Sequence, residues 1–283
     1  MKCRTILKLF VTLVYINVGA QNDISPSHTN IVYGNAANEK LHLDIYEPKG
    51  DGPFPIAIYI HGGGWTVGDK ANPDDAPAIE ILQKAGFIAF SINYRLAPEH
   101  RWPSCLDDIK TAIRWVKANA VNYNGDPSTM VLAGYSAGGH LATFTATLVD
   151  ESIAVKAVIG LAPLTDFVQE LPKRGNILGR AQRGLLNRPQ EITPESLGML
   201  KAISPINYVR PGLPPFLLLH GDKDQSVPFE QSILFQKKLQ DNGVQCDIIT
   251  IPGAPHRLTE WNDFLPDYSG QIIKWLNKYI TNK

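Results

Sequence analysis

The chain carries no excess of either charge: 27 Lys and Arg stand against 27 Asp and Glu in 283 residues, a formal net charge of +0. No basic cluster runs beyond a few residues, so the electrostatic footprint of a nucleic-acid binder is missing. Cysteine is scarce. Cys3 lies near the N-terminus, and only Cys105 and Cys246 fall in the body of the chain. That excludes a disulfide framework, and leaves open whether the two pair or stand as buried thiols. Long apolar runs are absent too. The stretch Leu9 to Ile16 is too short to span a bilayer comfortably, and no stable membrane anchor is expected. There is no internal repeat and no low-complexity tract. What is present is 44% hydrophobic and 19% charged, which suits one domain with a single large core.

The N-terminus reads separately from the rest. Lys2, Arg4 and Lys8 give a basic start, Leu9 to Ile16 a short apolar core, and Val18-Gly19-Ala20 a small-residue cleavage site before Gln21. This is the layout of a secretory signal peptide. Residues 1–20 are therefore expected to be removed, leaving residues 21–283 as a single secreted or periplasmic domain. Cys3 precedes the apolar core and is not placed as a lipoprotein cysteine would be.

Apolar periodicity alternates between strand and helix. Leu41–Tyr46 reads as an antiparallel edge strand. Ile56–Ile60, Phe87–Asn93, Met130–Ala133, Val155–Leu161, Phe216–Leu219 and Cys246–Ile251 read as further strands. Between and after them, helices are expected at Ile79–Ala85, Leu106–Ala118, Leu141–Leu148, Phe229–Gln240 and Tyr268–Tyr279. The alternation predicts an α/β fold with a mostly parallel sheet covered on both faces. Residues 164–209 break the rhythm. Rich in Gly, Pro, Arg and Asn, they are expected to form a small helical, cap-like insertion. Asp166, early in this segment, either lines a pocket or caps a helix.

The strand Met130–Ala133 runs into Gly134-Tyr135-Ser136-Ala137-Gly138-Gly139-His140 and then a helix. Strand, Gly-x-Ser-x-Gly, helix is the setting of a nucleophile elbow, with Ser136 at its apex. A serine hydroxyl needs a base, and the base an orienting acid, in the chain order Ser, Asp or Glu, His. Phe216–Leu219 ends in His220-Gly221-Asp222-Lys223-Asp224, so two aspartates compete for the acid's place: Asp222 nearer the strand, Asp224 further into the loop. His256 follows the last strand and the breaker Pro252-Gly253-Ala254-Pro255, and is the histidine placed after the acid. His220 precedes the acid at a strand end and reads as a packed residue. A second strand, Pro55–Ile60, runs into His61-Gly62-Gly63-Gly64-Trp65. Three glycines let backbone amides approach a ligand, so Gly62 and Gly63, with Ala137 after the nucleophile, are the candidate oxyanion donors. No Gly-Lys-Ser/Thr follows, and the spacing is not that of a dinucleotide fold. Trp65 and Tyr135 are the candidate substrate contacts. For Trp65, as for Trp261, stacking on a sugar or aryl ring and plain core packing are both open.

These motifs, with Tyr94-Arg95-Leu96-Ala97-Pro98-Glu99-His100, Trp102-Pro103, Asp107-Asp108 and Val227-Pro228, run from about residue 40 to the C-terminus. Through them the chain resembles the α/β-hydrolase superfamily, in its esterase and lipase branch. Within that branch it is similar to hormone-sensitive-lipase-like enzymes and to bacterial acetyl, xylan and feruloyl esterases. The form His-Gly-x-x-Asp-x-x-Val-Pro is closer to the feruloyl and xylan esterases, and to some peptidases, than to the hormone-sensitive-lipase-like branch. The resemblance implies Asp224 rather than Asp222 as the acid, and hydrolysis of short-acyl esters by a Ser136–Asp224–His256 triad. It implies no metal and no organic cofactor. The expected partner is a small-molecule or oligosaccharide ester, an acetyl or feruloyl group on carbohydrate. Arylformamidases and peptidases share the same motifs, and some superfamily members have lost the triad and serve as binding or adhesion modules.

Overall fold

The computed structural model describes residues 24–281, so the expected signal peptide and Cys3 lie outside the described residues. The chain opens with a hairpin, β1 (His28–Ala36) and β2 (Glu39–Tyr46), followed by β3 (Phe54–Ile60), α1 (Ala76–Lys84) and β4 (Ile88–Ile92). Next come α2 (Ser104–Asn119), β5 (Gly125–Tyr135), α3 (Ala137–Thr147) and β6 (Ala157–Leu161). Two short helices, α4 (Arg180–Leu186) and α5 (Pro194–Ala202), precede β7 (Phe216–Gly221). The chain closes with α6 (Glu230–Asp241), β8 (Cys246–Ile251), α7 (Trp261–Phe264) and α8 (Tyr268–Leu276).

All eight strands join one sheet in the order β1-β2-β4-β3-β5-β6-β7-β8. β2 runs antiparallel to both its neighbours, and the six strands from β4 to β8 across the sheet are parallel. Period-two alternation sorts each strand between two cores. In β3, Ile56, Ile58 and Ile60 face Ile109, Ile113 and Val116 of α2. Ala57 and Tyr59 face the other way, toward Ile79 and Leu82 of α1 and Ile272 and Leu276 of α8.

One expectation is corrected. Leu41–Tyr46 is antiparallel but not the edge, because β1 lies outside it. β1 buries a single residue, Tyr33, and is otherwise exposed or half-buried, so it has no apolar run to announce it. Its turn residues Ala37 and Asn38 have φ of 48° and 65°, the two positive values that a tight two-residue hairpin needs.

α2 is docked by a buried ion pair. The Arg95 guanidinium grips Asp108 through Nε at 3.1 and 3.0 Å and through Nη2 at 2.8 Å, while the Arg95 amide donates to the same carboxylate at 2.8 Å. The parallel strands all present their carboxyl ends on one side of the molecule. There the loops after β3, β5, β7 and β8 converge, the usual place for a site in a sheet of this kind.

Candidate active site

The turn from β5 into α3 holds Ser136 at φ 54° and ψ −114°, a region a non-glycine residue occupies only when its surroundings impose it. The Ser136 amide donates to Leu161 O at 2.8 Å and its carbonyl accepts from the His140 amide at 2.9 Å, which fixes the turn from both sides. Gly138 must lack a side chain here: a Cβ would stand 2.0 Å from Ile60 O at the end of β3. The elbow is thus pressed directly against the strand that feeds the glycine loop.

Three predicted residues meet at this point. Ser136 Oγ lies 3.0 Å from His256 Nε2, and His256 Nδ1 lies 2.5 Å from Asp224 Oδ2. The carboxylate, which only accepts, settles the direction of each bond: Nδ1–H donates to Asp224, leaving Nε2 free to accept from the serine hydroxyl. Asp224 Oδ1 accepts from the amides of Ser226 and Val227 at 2.8 and 2.9 Å. Burial would push this carboxyl up, but hydrogen bonds from His220, His256 and the Val227 amide, and the His256 charge, outweigh burial and hold it well below the usual carboxylate range. Asp222 does other work. Its Oδ1 accepts from the Gly253 amide at 2.7 Å, bracing the two loops against each other.

His220 is buried and fully committed. Its Nδ1 accepts from Ser232 Oγ at 2.7 Å, and its Nε2–H donates to Val227 O at 2.8 Å while lying 3.2 Å from Asp224 Oδ2. It therefore joins α6 to the acid's loop. The sequence reading placed it as a packed residue but had no signal for its partners.

The loop after β3 brings the glycine run against the elbow, where a Cβ on Gly138 would also stand 2.6 Å from His61 O. Gly63 adopts φ +108°, and a Cβ there would stand 1.9 Å from Val67 O. The carboxyl of Asp75 is buried at the N-terminal edge of α1, where its Oδ2 accepts from Asn72 Nδ2 at 3.3 Å. Burial pushes that carboxyl up to about 6, against the Tyr59 hydroxyl, the Gly62 amide and Asn72, which pull it down. Gly64 and Trp65, with Ala137, line the cavity in front of Ser136. His61 is packed behind the loop, stacked on Tyr94 at 4.4 Å, its Nδ1–H donating to Gly62 O at 2.7 Å.

The aromatic candidates divide. Tyr135 does not line the cavity; its hydroxyl donates to His256 O at 2.8 Å and its ring lies beside the imidazole, so it holds the histidine's loop in place. Trp65 reaches the cavity wall but is only 5% exposed. Its Nε1–H donates to His140 Nδ1 at 3.1 Å, and His140 Nε2–H donates to Ile203 O at 2.8 Å. Burial lowers the His140 pKa to about 4, which keeps the imidazole neutral and able to accept from Trp65. Trp261 is wholly buried and donates to Pro255 O at 3.0 Å, so it packs beneath the histidine's loop and offers no stacking face.

The cavity holds about 260 Å³. One wall comes from residues 164–209, through Leu164, Arg174 and the turn Gly179–Gln182. This segment is fixed at its base. Gln231 of α6 accepts from the amides of Thr165 and Asp166 at 2.8 and 2.7 Å and donates to Asp166 O and Gln169 Oε1, both at 2.9 Å. Asp166 itself caps a turn, accepting from the Val168 and Gln169 amides, and is absent from the cavity wall. Among the described residues, no group of three or more His, Cys, Asp or Glu side chains is placed to hold a metal ion.

A doubly covered parallel sheet, with a serine on a strained strand-to-helix turn and a glycine loop packed against it, defines an α/β-hydrolase. The chain belongs to the BD-FAE family, whose model matches residues 43–239. Among curated relatives it is 31% identical over 239 residues to esterase LipC of Mycobacterium tuberculosis and 34% identical over 242 residues to esterase LipQ of the same organism. Those alignments take in 80% and 81% of this chain but 58% and 56% of the relatives, so the chain spans little more than half their length. Among solved structures it is similar to a truncated carbohydrate esterase from gut microbiota, with a TM-score of 0.79 and 27% identity, covering 93% of this chain and 99% of that one. It is also similar to Thermogutta terrifontis esterase 2 in its apo form, with a TM-score of 0.71 and 28% identity, covering 92% and 96% of the two chains.

Proposed function

We propose that the protein is a serine carboxylesterase that hydrolyses short-acyl esters, acetyl or feruloyl groups on carbohydrate, outside the cytoplasm. The observation that carries this reading is the hydrogen-bonded chain Ser136–His256–Asp224 opening onto a cavity of about 260 Å³. Family membership and the esterase names of the relatives support ester chemistry. The likeness to a carbohydrate esterase and the bounded cavity support the substrate class. The extracytoplasmic location rests on the N-terminal sequence. No helix among the described residues is long and apolar enough to cross a membrane.

In this reading His256 takes the Ser136 proton as Oγ attacks the ester carbonyl, and Asp224 holds the imidazole in the required tautomer and stabilises the imidazolium. The tetrahedral oxyanion falls to the amides of Ala137, Gly62 and Gly63, beside Gly64 at the cavity wall. His256 then protonates the departing alcohol, and water, activated by the same base, releases the acid and restores Ser136.

The test is a matched panel: p-nitrophenyl acetate, butyrate and octanoate, methyl ferulate, acetylated xylo-oligosaccharide and N-formylkynurenine, each with wild type and Ser136→Ala. The expected result is preference for acetyl or feruloyl esters and a loss on the order of 10,000- to 1,000,000-fold in the variant. Dominant turnover of the formamide would replace the esterase reading with an arylformamidase. Equal rates for variant and wild type would remove Ser136 from the chemistry.

A further inference from the structure

The cavity beside Ser136 is lined by two guanidinium groups, Arg174 and Arg180, and by no carboxylate. Both come from the segment between β6 and β7. Arg174 is half committed. Its Nε donates to the buried Glu170 carboxylate at 2.8 Å and its Nη2 to Ser226 O at 2.9 Å. Its Nη1 has no acceptor among the described residues and lies 3.8 Å from where a Gly179 Cβ would stand, which brings it to the turn that carries Arg180. Arg180 itself makes no ion pair and no side-chain hydrogen bond among the described residues. Glu170 neutralises Arg174 from behind, and the Asp224 charge is shared with His256 and His220. The cavity wall is therefore left with one unbalanced positive charge and unused planar N–H donors.

We propose that this wall is a carboxylate subsite, and that the preferred substrate is an ester whose non-reacting part carries a carboxylate. The inference rests on the esterase reading and narrows it. A guanidinium presents forked donors that match a carboxylate and stays charged at every accessible pH. Two sources offer the same chemistry: an acidic sugar on the alcohol side, such as an acetylated uronic acid, or a half-ester of a dicarboxylic acid on the acyl side. In either case binding at Arg180 lies beside the attack on the carbonyl and steers the ester toward Ser136. The neutral carbohydrate ester expected from resemblance alone makes no use of this charge.

The experiment compares charged and neutral partners of equal size on the full chain. For the acyl arm the pair is p-nitrophenyl hemisuccinate against p-nitrophenyl valerate. For the alcohol arm it is acetylated glucuronic acid against acetylated glucose, read by acetate release. The measured quantity is the ratio of kcat/KM, charged over neutral, in wild type, Arg180→Gln and Arg180→Glu, at low and high salt. Arg180 is exposed, so these variants are expected to fold. The proposal expects a ratio above one in one arm, a fall of roughly ten-fold in Arg180→Gln, inversion in Arg180→Glu and weakening with salt. The arm that responds identifies the source of the carboxylate. Ratios at or below one in both arms, or ratios unmoved by either variant, would overturn it. Failure of wild type to hydrolyse any of the four esters would instead sink the esterase reading, and the two failures are thereby separated.

Discussion

At the scale of single residues, Asp75 shows how the site is held at a cost to the fold. Its carboxyl is buried beside the glycine loop and keeps its proton up to about pH 6, against an ordinary value of 3.8. In the window between those values the folded chain binds a proton that the unfolded chain has released. Folding stability from this group therefore falls as pH rises from about 4 to about 6 and stays reduced above that, by on the order of 2–3 kcal/mol. Asp75→Asn is expected to remove this penalty. Urea denaturation at pH 4 and pH 8 should show the variant gaining stability over wild type at pH 8 and little at pH 4. A variant equally destabilised at both values would show that the carboxyl is not the source of strain. Ser136 and His256 stood out in the sequence because each sits just past a strand end beside glycine or proline, whereas Asp222 and Asp224 share one loop and only the family resemblance separated them. The bond from Tyr135 to the histidine's loop could not be read from the sequence. Its partner His256 lies 121 residues away, and nothing local distinguishes a tyrosine that faces substrate from one that holds a loop.

At the scale of elements, the junction of α2 with the sheet rests on Arg95 and Asp108. The Asp108 side chain is 2% exposed and Arg95 13%. Removing the cation alone strands a buried carboxylate, so Arg95→Leu is expected to cost about 3–5 kcal/mol in denaturant titration. The double variant Arg95→Leu with Asp108→Leu should recover much of that, because the stranded charge is then gone too. Equal losses for single and double variants would place the cost in packing. The elements that the sequence revealed are those with an apolar face of their own. β1 is the opposite case: it depends on pairing with β2, buries only Tyr33 and carries no alternation to read. The segment 164–209 was legible as an interruption but not as a shape. α4 and α5 are short, and the segment is fixed by long-range bonds to Gln231 that no local pattern encodes.

At the scale of the whole molecule, the question left open by composition is whether two cysteines staple the fold. Cys105 sits near the start of α2 and Cys246 at the start of the edge strand β8, and both are buried free thiols. Burial pushes the Cys105 thiol up to about 12 and that of Cys246 higher still. Neither thiolate is available to a reagent at neutral pH, and neither thiol faces the cavity. The stability of the fold then comes from burial of the two apolar layers against the sheet, with no covalent contribution from these residues. Two results should follow. A reducing agent should leave the Tm of the native protein unchanged. Peptide mapping after treatment with a thiol-alkylating reagent should find Cys105 and Cys246 unmodified in native protein and modified after denaturation in guanidinium. Rapid native labelling at either position would mean that α2 or β8 opens locally far below the global unfolding energy. A Tm lowered by reductant would mean that the two sulfurs pair.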